Sequence, residues 1–356
     1  MTEHKRDIEE LRQELSKVDG QLLTSLEKRA KLSRRIGELR KAQPAQLPLT
    51  DRAQISALVA RASGEMPPED LRVIFGRIYA SSLALELPVR VAYPGPAGAD
   101  AYEAARVRFG NAAELVAVDG VAAALAEVSA GRAEFAIAPL ETQAEGPVQH
   151  TIEAILATEL KIVAEIELAT DLSLLSRTGN EADVEKVYAT AADHARAARF
   201  FAGHPRRISV LDVKSQAVAC DLATEDHGAA ALVGETFGIE RALLVARRAV
   251  ADAGPDRVRY AVVGARPSGR TGDDATSVVF SVNDAPGALL GVLKVFADRG
   301  INLKKIQSRP AATEEWAYLF FLELSGHATD RPLVTAFDEV RQKTRFFKVL
   351  GSYPAP

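Results

Sequence analysis

The stretch from Lys5 to Lys41 constrains this chain most, because it reads as one uninterrupted helix. Ile8, Leu11, Leu15, Val18, Leu22, Ser25, Arg29, Leu32, Ile36 and Leu39 recur at alternating steps of three and four, which draws a seam down one side. No proline interrupts it before Pro44, so the helix would run to roughly 55 Å. Arg29 is a permanent cation on that seam, and a charge there is costly unless an anion meets it. Arg40 follows about three turns later on nearly the same face. Two guanidiniums aimed into a bundle suggest a pocket for a small carboxylate. The alternative is an ordinary coiled-coil seam with Arg29 reaching out to its edge.

Two shorter helices follow. Thr50 can cap one carrying Ile55, Leu58, Val59 and Ala62, and Pro67-Pro68 opens another with Leu71, Ile74, Phe75, Ile78, Ser82 and Leu85 on one face. Neither can cover the long seam, so the first helix is expected to pair with a second copy of the chain. Glu86 falls on the same inward face as Ser82. Composition narrows the class: a net charge of −4 gives no reason to expect nucleic acid, and the single Cys220 excludes an internal disulfide and a cysteine-based zinc site. The six histidines lack ligand spacing, and neither a signal core nor a membrane span is legible. These features read as a cytoplasmic protein with no metal and no cofactor.

After Leu87-Pro88 the pattern changes. Short strands near 89–93, 114–118, 134–139, 161–168, 186–190, 208–213, 229–233 and 257–264 alternate with helices, which predicts two small α/β lobes built on parallel sheets with a cleft between them. Gly95-Pro-Ala-Gly98 is not a dinucleotide-binding turn. Beyond the polar linker 267–274, the order is strand, helix, strand, strand, helix, strand: a ferredoxin-like βαββαβ sandwich.

The runs "VRVAYPGPAG", "APLETQAEGPVQHTIEAI", "VRYAVVG", "GDDATSVVFSVNDAPGALL", "GINLKKIQSRP" and "KVLGSYP" together resemble the bacterial bifunctional chorismate mutase–prephenate dehydratases over nearly the whole chain. The resemblance implies three parts: an all-helical chorismate mutase dimer over 1–87, a two-lobed dehydratase-like domain over 88–268, and an ACT domain over 274–356 that senses L-phenylalanine. It implies chorismate and prephenate as small-molecule ligands, in phenylalanine biosynthesis or a related specialised pathway.

In mutases of this type, arginines at the positions of Arg12, Arg29 and Arg52 grip the substrate carboxylates, the first coming from the partner helix. The rearrangement needs no nucleophile. It needs a flexible dianion folded into a chair and charge stabilised on the breaking ether oxygen, where this chain offers Arg40 and Glu86 beside Ser82. Glu86 can donate to that oxygen only when protonated. One departure is Ala53, which stands where the family carries a glutamate that binds the substrate hydroxyl.

The dehydratase-like part departs further. Its reaction expels a ring hydroxyl as carbon dioxide leaves, and the family protonates the departing oxygen with the threonine of a Thr-Arg-Phe motif. The matching stretch here is Val258-Arg259-Tyr260, and valine has no proton to give. The glycine-threonine-phenylalanine-serine turn has become Gly98-Ala99-Asp100-Ala101, and glutamate-asparagine-serine has become Glu141-Thr142-Gln143. General acid catalysis is worth roughly 10²–10⁴-fold, so aromatising dehydration is expected to be lost. The alternatives are a substitute acid such as Tyr260 or a bound water, decarboxylation that keeps the hydroxyl, an amino analogue of chorismate as mutase substrate, or a non-catalytic effector-binding role. In the ACT part, Gly287-Ala288-Leu289, Asn302-Leu303 and Gln307-Ser308-Arg309-Pro310 match the effector motifs, with Gln307 replacing a glutamate.

Overall fold

The structure, a computed structural model, describes residues 3–40, 52–62, 64–86, 89–111, 113–143, 146–310 and 318–355. It forms two compact units, Met1–Val89 with Val107–Glu114, and Arg90–Arg106 with Leu115–Pro356.

The first unit is helical: α1 (Glu3–Arg40), α2 (Arg52–Val59) and α3 (Pro68–Glu86). The i, i+4 row Arg29, Ser33, Gly37 faces α3, with Ser33 4% exposed and an added Cβ at Gly37 falling 2.3 Å from the Glu86 carbonyl oxygen. Gly37 therefore lets two helix backbones approach where any side chain would separate them. The apolar positions of the predicted seam remain open (Ile8 is 52% exposed, Leu15 63% and Leu39 65%), but Arg29 leaves that seam and turns to α3, where Ile78 O and the Tyr79 ring hold it.

The second unit begins with β1 (Arg90–Pro94), α4 (Asp100–Phe109), β2 (Glu114–Val118), α5 (Val121–Ser129), β3 (Phe135–Thr142), β4 (Gly146–Pro147), α6 (Gln149–Leu156) and β5 (Lys161–Thr170). The chain then crosses at Asp171 into a second lobe: β6 (Leu172–Ser176), β7 (Lys186–Ala189), α7 (Ala191–Arg196), α8 (Ala198–Gly203), β8 (Ser209–Asp212), α9 (Gln216–Glu225), β9 (Ala229–Gly234), α10 (Glu235–Glu240) and β10 (Leu244–Arg247). It returns in β11 (Asp256–Gly264), which enters the first sheet between β3 and β5. The sheets are mixed rather than parallel. β11 runs antiparallel to both neighbours, and β6 runs antiparallel to β9 and β10. The cause is the double crossing: a strand coming back from the other lobe meets the first sheet from the opposite end.

The last part has the expected order, β12 (Asp274–Ser281), α11 (Ala288–Ala297), β13 (Leu303–Pro310), β14 (Tyr318–Ser325), α12 (Arg331–Lys343) and β15 (Phe346–Pro354), with sheet order β13-β14-β12-β15. One face of this sheet packs Val278, Phe280 and Leu322 against Phe296 and Phe337 of its own helices. The other face does not look into water. Val279, Phe321, Leu350 and Tyr353 share one apolar core with Ala138, Leu140, Ile162 and Val263 of the first lobe. At Gly351 an added Cβ would sit 2.0 Å from the Ile162 carbonyl oxygen.

Candidate functional site

In the helical unit two of the described candidates, Ser82 and Arg29, meet at one carbonyl. Ser82 Oγ donates to Ile78 O at 2.8 Å and Arg29 Nη1 donates to it at 3.2 Å. The Arg29 guanidinium also lies 4.4 Å from the centre of the Tyr79 ring, so its plane is set before any ligand arrives. Arg29 thus faces α3, while Glu86 stands half-buried one helical end away, beside Gly37. Arg12 is exposed on the first half of α1. Arg40 ends α1 and Arg52 begins α2, but both side chains lie outside the described residues.

In the α/β unit the strand β11 separates the motif residues by side. Val258 (2% exposed) and Tyr260 (3%) lie on the face that meets α4, where the Tyr260 hydroxyl is pushed well above its ordinary value by burial and then by the charges of Asp100, Asp256 and Glu103. Such a phenol is a poorer acid than a free one. Gly98, at φ 92°, turns the chain into α4 with an added Cβ only 2.5 Å from the Phe237 ring, so both the conformation and the space require glycine. Ala99 receives the amide protons of Tyr102 and Glu103 on its carbonyl. Asp100 lies between the lobes, and burial pushes its carboxyl up while Arg196 opposes the shift and Asp193 and Asp256 add to it. Thr142 pairs with Gly146 at the end of β3, and Gln143 is exposed, its amide bonded to Arg257 O.

The same cleft holds polar residues that sequence reasoning missed. Asp193, 7% exposed, accepts from Thr190 Oγ1 at 2.7 Å and from Gln216 Nε2 at 3.1 Å, with Arg196 Nη1 3.9 Å away. Arg196 Nη2 donates at 3.4 Å to the carbonyl of Thr170 at the lobe crossing. The legible signal was Thr190-Ala-Ala-Asp193, a capping pattern at the start of α7.

Glu141 and Arg259 sit opposite one another in the β3–β11 ladder, and their charged ends leave the cleft for the ACT sheet. Arg259 Nη2 lies 2.7 Å from Glu165 and 2.8 Å from Glu323, its Nη1 3.1 Å from Glu141, and Lys305 pairs with the same Glu141 oxygen. The fully buried Tyr353 hydroxyl donates to Glu165 at 2.8 Å and bonds Ser277 at 2.6 Å. Burial would lower Arg259, but Glu165 and Glu323 hold it far above its ordinary value. Burial would raise Glu141, but Lys305 and Arg259 hold it below the usual carboxylate range.

At the ACT end, Gly287 takes the left-handed cap of α11 at φ 80°, ahead of Ala288 and Leu289. Asn302 accepts the Ser325 amide on its carbonyl, and Leu303 packs on the helix-side core. Past a register shift between Leu303 and Lys305, the residues Lys305, Gln307 and Arg309 alternate half-buried with exposed Ser308 and Pro310. Arg309 has both terminal nitrogens buried without a hydrogen-bond partner among the described residues, and burial lowers its pKa against the opposing charge of Glu153. Its guanidinium end is thus desolvated although the residue as a whole is half-buried. Among the described residues there is no cluster fit to hold a metal ion and no helix long and apolar enough to cross a membrane.

Family models match in three consecutive segments: chorismate mutase type II at residues 11–87, prephenate dehydratase at 91–268 and the ACT domain at 276–342. A bifunctional chorismate mutase/prephenate dehydratase of Aquifex aeolicus is 36% identical over 355 residues, covering 98% of both chains. Among solved structures, a prephenate dehydratase of Arthrobacter aurescens in complex with L-Phe is 29% identical, with a TM-score of 0.63 over 75% of this chain and 90% of that one. A structure described as a novel type of quorum quenching acylase is 25% identical, with a TM-score of 0.64 over 75% of this chain and 98% of that one. With its three parts in that order and matched nearly end to end, the chain belongs to the bifunctional chorismate mutase/prephenate dehydratase family.

Proposed function

We propose that this chain converts chorismate to prephenate in its helical part, has lost aromatising dehydration in its α/β cleft, and takes L-phenylalanine at its ACT domain. The observation that carries the reading is Val258. It is buried on the cleft face of β11 and carries no hydroxyl, so this position has no proton to give to the departing oxygen. The mutase reading is supported by Arg29, oriented by Ile78 O and the Tyr79 ring. Binding a dianion and folding it into a chair needs such a preorganised cation and no further cofactor. The open seam of α1 supports a homodimer, since a second helix laid along it would bury Ile8, Leu15 and Leu39 and bring a partner's Arg12 to the pocket. The two unpartnered nitrogens of Arg309 support an amino acid effector, whose carboxylate would satisfy them.

One observation favours a second reading. Burial raises the Asp100 carboxyl, which makes it a proton donor candidate between the lobes, close enough to Tyr260 for its charge to be felt there. Purified protein incubated with chorismate separates the two. Prephenate that accumulates without phenylpyruvate supports the first reading. Phenylpyruvate formation that disappears in Asp100→Asn supports the second, and a decarboxylated non-aromatic keto acid removes the second and gives the cleft a decarboxylation that keeps the hydroxyl. Unchanged chorismate refutes the mutase assignment.

A further inference from the structure

The ion cluster between β11 and the ACT sheet is graded. Glu165 (side chain 1% exposed) and Glu323 (8%) are buried around Arg259, while Lys305 (20%) and Glu141 (26%) stand at its rim. The inner part is anchored further by Tyr353 and Ser277 and has little freedom to rearrange. The outer pair is different. Lys305 belongs to the ACT strand β13, Glu141 to the last turn of β3 before the cleft residues Thr142 and Gln143, and the two are joined only through side chains.

Lys305 is also two residues before Gln307 and four before Arg309, on the same face of the same strand. That strand is held in register to β14 at Lys305–Glu323, Gln307–Phe321 and Arg309–Leu319. A ladder so bonded moves as one piece, so a ligand that draws Gln307 or Arg309 carries the Lys305 ammonium with it. On the other side, Glu141 and Thr142 pair with Pro147 and Gly146, and the Gln143 amide is tied to Arg257 O, so the carboxylate cannot follow without moving the end of β3.

We propose that Lys305 is a positioning residue: through Glu141 it holds the end of β3, where Thr142 pairs with Val258, and it transmits effector occupancy of the ACT domain to that strand end. The second clause rests on the reading that the ACT domain binds phenylalanine. The arrangement also assigns a role to Glu141 and Arg259 that needs no chemistry in the cleft.

Hydrogen–deuterium exchange on the full chain, with and without saturating phenylalanine, tests both clauses in the parent, Lys305→Met and Lys305→Arg. Without ligand, exchange in the segment 139–148 rises about tenfold in Lys305→Met, the factor expected when one charge-assisted hydrogen bond is lost from a local opening equilibrium, and returns in Lys305→Arg. Identical exchange in parent and Lys305→Met overturns the positioning role. With ligand, the parent changes its exchange in that segment and Lys305→Met does not, although calorimetry finds phenylalanine bound to both. A change that survives in Lys305→Met overturns the transmission. Absence of any binding heat in the parent removes the effector reading and the transmission with it, while the ligand-free comparison still decides the positioning role.

Discussion

Arg259 of β11 and Glu323 of β14 stand 2.8 Å apart, Nη2 to Oε1, across the shared core of the dehydratase-like and ACT parts. Val258, one residue earlier, faces the opposite side of the sheet and is buried against the cleft. A two-residue alternation therefore divides the Val258-Arg259-Tyr260 stretch: Val258 and Tyr260 point one way, and the Arg259 charge points the other.

Removing that charge should be severe. Arg259→Ala leaves Glu165 and Glu323 buried and facing each other, and breaking such a pair costs about 3–5 kcal/mol. Thermal melts should show a large drop for Arg259→Ala and only partial recovery in Arg259→Lys, because an ammonium cannot fork between three carboxylates. An unchanged melting temperature would mean that the carboxylates have another counter-charge.

The two rim and core carboxylates should respond oppositely to pH. Glu141 is held below its unfolded value, so its contribution is complete above that value and fades as the pH falls through the folded one. Glu323 is raised, first by burial and then by Glu165, so the folded chain binds its proton more tightly than the unfolded chain does. Its ionisation therefore costs stability as the pH rises. In urea titrations between about pH 4 and 7, the stability difference between Glu323→Gln and the parent should move in the variant's favour as pH increases. The deficit of Glu141→Gln should shrink as pH decreases. Parallel curves for parent and variants would refute the assigned directions.

The helical part offers a kinetic test. Arg29→Ala should lower kcat/KM for chorismate loss by roughly 10–100-fold, the range for one charge-assisted contact. Gly37→Ala should lower it too, although Gly37 has no side chain to touch a ligand. Its new Cβ would meet the Glu86 carbonyl oxygen at 2.3 Å, forcing α1 from the end of α3 at a cost of about 1–3 kcal/mol. Full activity in Gly37→Ala would show that the placement of Glu86 does not matter to the reaction.

Arg309→Met separates ligand binding from folding. It replaces a half-buried cation whose terminal nitrogens have no hydrogen-bond partner among the described residues with an apolar chain of similar length, so the ligand-free protein should melt at or above the parent temperature. Phenylalanine affinity should fall at least about tenfold by calorimetry. Undiminished binding would place the effector carboxylate elsewhere.

Helix α1, the alternation of strands and helices, and the ferredoxin-like order of the last part were legible because each rests on local rules: a period of 3.6, a period of 2, and turn residues at their ends. The strands β6 and β10 and the antiparallel entry of β11 were not, since which strand pairs with which is a choice between segments far apart in sequence. The same holds for the site. That Val258 lacks a proton is a property of one residue type and was readable at once. That Asp193, Thr190, Gln216 and Arg196 gather in the cleft, and that Arg309 is buried unpaired, depends on how distant segments pack.

By itself, then, the sequence determined the three-part order and the apolar seam of α1, which follow from side-chain identity and near-neighbour spacing, and it placed Val258 where the family it resembles carries a threonine. Only the tertiary structure decided that the ACT sheet shares a core with the first lobe, that Gly37 and Gly351 must stay bare, and that Glu141 and Arg259 belong to the interdomain contact. Those depend on the backbone or charge of a remote segment, and no local pattern encodes what a residue will be packed against.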